Sequence, residues 1–406
     1  MTYLAELRSN WRPLLAATVG VGTGMSLAGT VTSAIAPSMI AANGWSKADF
    51  AMVGSLGIVS SLAFPFIGRI ADVLGVRWTA LIGQVTLPLM YLAYSLMGGS
   101  LQTYIVIFLI HSVVCLTTTS TVYTRLPVQC ISAARGAALA IVASGPALVS
   151  AIGGPLLNAY VEANGWRAAY QLLAIFAVVA GTITFLLIPA EADRQAGARA
   201  PRRPAREDYP AIFRAPAFWI LLAAMLLCNI PQVIMLTQLK LVLLDNGVTG
   251  RGASVMISAL SIGMLAGRLI TGVALDRFNP FAISFFTLAL PSLGLFIIAS
   301  SLDAPAVLTG AVFFLGFAFG AEGDIIAFLV ALCFPIRIYG SVMGLMTATM
   351  SASAAIGAVG LSIILARTGG YSTFLVIAGT AVLVGAFLLL TLARAPRPLD
   401  LEGCAA

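Results

Sequence analysis

Charge and histidine are scarce in this 406-residue chain. Only 9% of the residues are charged, and His111 is the single histidine. Soluble globular proteins carry about 25% charged residues, so this composition excludes a large soluble domain. The five cysteines are odd in number and include no CxxC pair, which argues against a disulfide framework or a zinc site. No Walker motif or nucleotide-binding glycine loop is present, which excludes a protein that is driven by ATP.

Apolar residues make up 60% of the chain, enough for twelve spans of about 20 residues each. Six long apolar runs lie on either side of one arginine-rich segment. They lie near residues 13–40, 48–67, 78–97, 101–124, 137–160, 168–189, 217–243, 252–274, 281–300, 305–331, 341–366 and 371–393. We therefore predict an all-α polytopic membrane protein with 12 transmembrane helices. An N-terminal six-helix bundle is expected over 1–190, a cytoplasmic linker over 191–214 and a C-terminal six-helix bundle over 215–406.

The net charge of +7 comes from basic residues whose positions indicate the membrane topology of the chain rather than nucleic-acid binding. Most of the arginines lie at those ends of the apolar runs that face the same side as the linker. Segments rich in arginine and lysine stay in the cytoplasm. We therefore expect both termini to be cytoplasmic and the chain to lie in the inner membrane of the cell.

Four short landmarks recur along the chain at an offset of 203 to 205 residues. The pairs are Asn43-Gly44 with Asn246-Gly247, Asp72 with Asp276, Arg135-Gly136 with Tyr339-Gly340, and Gly165-Trp166 with Gly370-Tyr371. Each landmark lies at the end of an apolar run. With six spans in each half, the two halves are predicted to be parallel internal repeats.

The segment Gly68-Arg69-Ile70-Ala71-Asp72-Val73-Leu74-Gly75-Val76-Arg77 resembles the GxxxDxxGxR signature of the major facilitator superfamily, and a second copy runs from Gly272 to Asn279. The resemblance implies two six-helix bundles and a transporter rather than an enzyme. The aspartates of such turns are expected to pair with helix ends or arginines in one conformation. Arg125, at the end of the fourth span, is expected to pair with Asp72 or with a lipid phosphate. The residues of this conformational motif are Gly68, Asp72, Gly75, Arg77, Arg125, Gly272, Asp276 and Arg277.

A narrower resemblance links the chain to the monocarboxylate and oxalate/formate branch. It rests on three segments: Asn43-Gly44-Trp45-Ser46, Arg135-Gly136-Ala137-Ala138-Leu139-Ala140 and Gly165-Trp166-Arg167. In that branch an arginine on the eighth helix contacts the substrate carboxylate. Arg268, with Gly272 four positions later, matches that arginine. The chain departs from the branch because its first and eleventh spans contain no lysine.

Three ionisable residues lie within the eighth and tenth spans. Such a side chain in hydrocarbon costs about 2.5–3.5 kcal/mol or more, so each needs a partner or a role. Arg268 is interpreted as the anchor of an anionic substrate, or alternatively as an arginine that reaches towards the cytoplasmic face. Glu322 and Asp324 either bind a proton and gate transport or form a structural ion pair with Arg268, Arg277 or Arg337.

His111, in the fourth span, is either a substrate contact that relays protons or a neutral hydrogen-bonding core residue. Lys240 and Gln232, in the outer half of the seventh span, are expected to line the mouth of the cavity, or Lys240 extends to the membrane surface. His111, Lys240 and Gln232 thus join Arg268 as candidate substrate-binding residues.

Together these patterns predict a secondary active transporter that works by alternating access. The expected substrate is a small organic anion, a monocarboxylate above all, with a proton as the coupling ion and no metal or other cofactor. Membrane lipid is the other expected partner, nucleic acid is not, and we expect a monomer. A proton antiporter that exports amphipathic drugs or metabolites is the alternative, and an intramembrane enzyme is a remote one. Substrate identity, direction and stoichiometry stay open.

Overall fold

The computed structural model describes residues 3–45, 50, 53, 56, 58–189, 205–300, 302 and 304–394, and this part of the chain is helical without a strand. Its helices are α1 (Tyr3–Ser9), α2 (Trp11–Thr23), α3 (Ala28–Asn43), α4 (Ile58–Leu74), α5 (Val76–Leu96), α6 (Leu101–Val114), α7 (Ser120–Tyr123), α8 (Arg125–Cys130), α9 (Arg135–Leu187), α10 (Ala205–Arg214), α11 (Pro216–Cys228), α12 (Leu239–Asp245), α13 (Gly250–Arg277), α14 (Pro280–Ala299), α15 (Pro305–Cys333), α16 (Tyr339–Thr368) and α17 (Ser372–Thr391). Short 3₁₀ turns lie at Met25–Leu27, Cys115–Thr118, Ile336–Ile338 and Leu392–Arg394, and a π-helical turn lies at Ile234–Gln238.

Among the described residues, nine helical stretches are long and apolar enough to cross a membrane. A tenth is a pair of helical segments, Glu207–Arg214 and Pro216–Cys228, that meet at 72°. The 53-residue helix α9 would be about 80 Å long if straight, more than twice the apolar thickness of a bilayer. It consists of two helical stretches that meet at a kink at Gly165, where φ is +79°. The first corresponds to the predicted span 137–160, and the second to the predicted span 168–189 as far as Leu187. The predicted all-α polytopic fold is confirmed.

The predicted seventh span, 217–243, is broken in the structure. Helix α11 ends at Cys228, and Pro231, which has no N–H to donate, follows in a turn. The chain then continues through the π-helical turn Ile234–Gln238 into α12. An apolar run alone does not show such a break, because the run stays continuous in hydropathy across it.

The chain forms two compact units, and each includes one helix start from the other half of the sequence. The first unit consists of residues 1–133, 141–203 and 336–345, and the second of residues 134–140, 204–335 and 346–406. Thus α9 begins in the second unit, whereas α16 begins in the first. The predicted bundle boundaries at 190 and 215 stay a prediction. Residues 191–204 of the predicted linker lie outside the described residues, and 205–214 form α10, on which Ile212 is buried.

Within the second unit, α13 and α15 pack closely through small residues. A side chain at Gly320 would collide with the carbonyl oxygen of Met264, and one at Gly316 would collide with that of Leu260. Such contacts let two helix backbones approach more closely than larger residues permit. This packing brings Arg268 of α13 next to the part of α15 that carries the buried carboxyl groups.

Candidate functional site

In the first unit, Asp72 binds the beginning of α16. Its Oδ1 accepts hydrogen bonds from the N–H of Gly340, at 2.8 Å, and from Arg125, at 2.5 Å. Its Oδ2 accepts from the N–H and the hydroxyl of Ser341, both at 2.6 Å. The first N–H groups of a helix lack intrahelical partners and carry partial positive charge, so a carboxylate is favourable there. Asp72 therefore holds both a helix start and a buried arginine.

The pairing of Arg125 with Asp72 is one of the two expected for that arginine. Arg125 is 2% exposed, and it also donates to the carbonyl oxygen of Ala71 at 3.0 Å. The ion pair is therefore shielded from solvent on both sides. Because a buried charge needs compensation, Arg125 depends on Asp72 for its counter-charge.

In the second unit, Asp276 binds the beginning of α9 in the same manner. Its Oδ1 accepts from the N–H of Gly136 at 2.6 Å, and its Oδ2 accepts from the N–H of Ala137 at 2.9 Å. Asp276 follows Asp72 by 204 positions, and Gly340 follows Gly136 by the same number. The repeat in the sequence is thus present in the structure as two equivalent contacts between a carboxylate and a helix start.

The remaining motif residues shape these two contacts. A side chain at Gly68 would collide with the carbonyl oxygen of Gly340, and one at Gly272 would lie 2.7 Å from the carbonyl oxygen of Gly136. Gly75 adopts φ +84° at the turn between α4 and α5. The guanidinium of Arg77 lies 4.4 Å from the centre of the Phe185 ring, and Arg277 is the last residue of α13.

His111 lies in the first unit, in an aromatic pocket. Its Nδ1 is 3.4 Å from the hydroxyl of Tyr94, and the rings of Tyr91 and Tyr94 contact its ring edge-on. Tyr104 and Tyr170 also line the pocket. The Nε2 atom of His111 is buried without a hydrogen-bond partner among the described residues. The Nε2 atom can therefore accept or donate one further hydrogen bond inside this aromatic pocket.

The other predicted site residues belong to the second unit. Glu322 and Asp324 are buried on α15, and Arg268 of α13 donates from Nε to the carbonyl oxygen of Gly320 at 2.9 Å. Arg268 is close enough to Asp324 for an electrostatic interaction. Glu322 accepts a hydrogen bond from Asn229. The structure therefore brings Arg268 together with Asp324, and Glu322 together with a residue of the broken seventh span.

Gln232 and Lys240 lie along that broken span. Gln232 is partly buried one position after Pro231, and Lys240 is exposed on α12.

Sequence reasoning missed Asn229 and Ser341, which contact the candidate carboxylates. A signal for Asn229 existed, since it is an isolated amide between a long apolar run and a proline. For Ser341 the only signal was its place after the repeated Gly340.

Comparison with known proteins agrees with this architecture. Residues 14–358 match the sequence profile of the Major Facilitator Superfamily. A fujikurins efflux protein of Gibberella fujikuroi is 25% identical over 361 residues, which cover 85% of this chain and 74% of that protein.

Solved structures share the fold at low sequence identity. The E. coli fucose:proton symporter superposes with a TM-score of 0.74 at 13% identity, covering 97% of this chain and 99% of that one. A human organic anion transporter gives 0.70 at 15% identity, covering 94% and 99%. The sequence profile spans most of the chain, and the helical architecture agrees with it. The chain is thus a multi-pass membrane transporter that belongs to the Major Facilitator Superfamily.

Proposed function

We propose that this transporter moves a small organic anion, a monocarboxylate above all, by proton-coupled alternating access. Arg268 carries the proposal, because it is a cation on an apolar membrane helix. Its Nε bonds to the backbone of Gly320, which fixes the plane of the guanidinium. A fixed guanidinium favours a carboxylate, which it can bind through two parallel hydrogen bonds. The arginine bias along the sequence supports an inner-membrane location with both termini in the cytoplasm.

Asp324 supports a role for Arg268 in exchange of anions. This carboxyl is 3% exposed, and its Oδ2 has no hydrogen-bond partner among the described residues. Arg268 therefore has an internal counter-charge of which one oxygen is not held by a hydrogen bond. An arriving carboxylate can share the guanidinium with Asp324, so that Arg268 has a counter-charge both with and without substrate.

The contacts of Asp72 and Asp276 supply the conformational part of the proposal. Each carboxylate binds a helix start through backbone N–H groups, and such contacts either form or break as a whole when the helix start moves. We propose that they open and close during the transport cycle. The protein is proposed to act as a monomer.

Uptake of labelled carboxylates into proteoliposomes tests the role of Arg268. The panel is acetate, lactate and benzoate with an imposed pH gradient, measured for wild type, Arg268→Ala and Arg268→Lys. Hydrogen bonds to charged groups contribute about 1.5–3 kcal/mol, so Arg268→Ala should weaken binding about 10- to 150-fold. Arg268→Lys should recover part of the affinity, because lysine keeps the positive charge but cannot donate two parallel hydrogen bonds to a carboxylate. Arg367→Ala, which removes an exposed arginine at the end of α16, is the matched control. Unchanged affinity of Arg268→Ala for these carboxylates would refute the proposal.

Export of amphipathic drugs or metabolites is the second candidate function. It is favoured by the fungal relative, which is named an efflux protein, and by the pocket of tyrosines around His111. Aromatic rings that carry hydroxyl groups offer both apolar and polar contacts, which suit an amphipathic ligand. Drug-stimulated proton release from purified protein, without any response to the three carboxylates, would favour this candidate over the anion.

A further inference from the structure

Two carboxyl groups lie two residues apart on α15, and both are buried. Glu322 is 6% exposed and Asp324 is 3% exposed. Side chains two positions apart on an α-helix point about 200° away from each other, so the two carboxyls meet different neighbours. A buried carboxyl is stable as an ion beside a cation or as a neutral acid with hydrogen-bonding partners. The neighbours therefore indicate which form each group takes.

Asp324 has a cation as its neighbour. Arg268 interacts with it electrostatically and donates from Nε to the carbonyl oxygen of Gly320 at 2.9 Å. Gly320 lies about one helical turn before Asp324 on α15. The guanidinium is thus held along the part of α15 that carries Asp324, and these surroundings suit an ionised carboxylate.

Glu322 has an amide as its neighbour. The Nδ2 of Asn229 donates to Oε1 of Glu322 and also to the carbonyl oxygen of Met225, the latter at 2.8 Å. The Oδ1 of Asn229 is buried and has no hydrogen-bond partner in the part of the chain that the structure describes. A buried acceptor without a donor costs about 1–3 kcal/mol. A protonated Glu322 removes that cost, because its O–H can donate to Oδ1 while its other oxygen keeps the bond from Nδ2.

The elements packed around α15 bring few ionisable groups to Glu322. Helix α14 contains none. The end of α11 contributes the thiol of Cys228, which interacts with Glu322 and is an acid, not a cation. Helix α13 contributes Arg268, which lies beside Asp324. The other ionisable residues of α13 whose side chains the structure describes lie at least two turns beyond Arg268: Asp276 and Arg277.

We propose that Glu322 takes up and releases the coupled proton, that Asn229 is its hydrogen-bonding partner in the protonated form, and that Asp324 stays ionised beside Arg268. This inference rests on the proposed function, because that function includes coupling to protons. Uptake forms an O–H bond on Glu322 with a proton from water on one side of the membrane. Release breaks that bond, returns the proton to water on the other side and leaves Asn229 without its donor. One proton per cycle balances the charge of one monovalent anion.

Infrared titration of the purified protein tests the assignment without any substrate. At neutral pH we expect a carbonyl band of a protonated carboxyl group in wild type and its loss in Glu322→Gln. Asp324→Asn should keep the band. Asn229→Leu should shift its frequency, because the hydrogen bonds of the acid are lost. Glu162→Gln is the matched control, since Glu162 is exposed and accepts a hydrogen bond from Asn158. Survival of the band in Glu322→Gln, or its loss in Asp324→Asn, overturns the assignment.

Transport in proteoliposomes tests whether this proton is the coupled one. A gradient of one pH unit, about 1.36 kcal/mol, drives about tenfold accumulation through a mechanism that couples one proton to one anion. With benzoate, lactate or acetate as the probe, uptake faster than diffusion of the neutral acid into protein-free liposomes should be lost in Glu322→Gln under the pH gradient. Exchange of labelled for unlabelled probe should continue, because it needs no net proton movement. Asp324→Asn should change the affinity for the probe and keep the accumulation of wild type.

The outcomes separate this inference from the proposed function. If Glu322→Gln accumulates the probe as wild type does, the inference is wrong, although anion transport stands. If no carboxylate is transported but the infrared band depends on Glu322, and proton release on addition of ethidium also depends on Glu322, the substrate class is wrong and the proton site stands.

Discussion

Replacement of Asp72 by asparagine should free the beginning of α16. The carboxylate is the counter-charge of Arg125, and both side chains are almost fully buried, at 1% and 2% exposure. Asparagine keeps one acceptor oxygen, but it places an NH₂ group opposite N–H donors and leaves Arg125 uncompensated. Breaking one partner of a buried pair costs about 3–5 kcal/mol. At the lower limit this is a factor of about 150 in the equilibrium that opens the contact.

Hydrogen exchange followed by mass spectrometry measures this opening. Peptides that cover residues 336–345 should exchange at least about 100-fold faster in Asp72→Asn than in wild type, because exchange follows the population of the open form. The repeat provides the control. Asp276→Asn should speed exchange at residues 134–140 and leave 336–345 unchanged, since Asp276 binds Gly136 and Ala137.

A second substitution isolates the charge. Position 329, which lies 204 residues after Arg125, is a leucine, so a leucine occupies the equivalent position in the other repeat. Adding Arg125→Leu to Asp72→Asn removes the uncompensated charge and should restore part of the protection at 336–345. Equal exchange in wild type and Asp72→Asn refutes the reasoning, as does an equal effect of Asp72→Asn on both helix starts.

Three further predictions concern single residues of the first unit. Gly68→Ala should raise exchange at 336–345 without changing any charge, because its methyl group collides with the carbonyl oxygen of Gly340. Gly75→Ala should lower stability by about 1–3 kcal/mol, measured by thermal unfolding, since φ is +84° and ψ is 169° there, a conformation that is essentially restricted to glycine. His111→Gln, if His111 is a neutral hydrogen-bonding residue, should leave the pH profile of uptake unchanged, whereas a shifted profile would assign His111 to the proton path.

The recurrence of four landmarks at nearly the same offset predicted much of the architecture. A constant offset predicted two related halves, and it related Asp72 to Asp276 and Gly136 to Gly340 before any contact was known. The partners of those aspartates were predictable only as a class, helix ends or arginines. Which N–H groups they bind depends on contacts across 140 and 268 residues, and local sequence patterns carry no information on such distances.

Hydropathy was less informative about where helices break. It did separate spans 137–160 and 168–189, and the structure has a kink between them at Gly165, whose φ is +79°. In the seventh span the opposite occurred, since a continuous apolar run contains the break after Cys228. Hydropathy averages over many residues, whereas a break depends on the backbone geometry of one or two. Asn229, which contacts Glu322, lies at such a break.

The two contacts between a carboxylate and a helix start cannot form at the same time during synthesis. The contact of Asp276 with Gly136 spans 140 residues and is possible once residue 276 has left the ribosome. The contact of Asp72 with Gly340 spans 268 residues and must wait for residue 340. The first unit, although most of it is translated early, therefore stays incomplete until residues 336–345 have been made. A nascent chain arrested before residue 340, but with residue 276 already outside the ribosome, could form the Asp276 contact while Asp72 still lacks its helix.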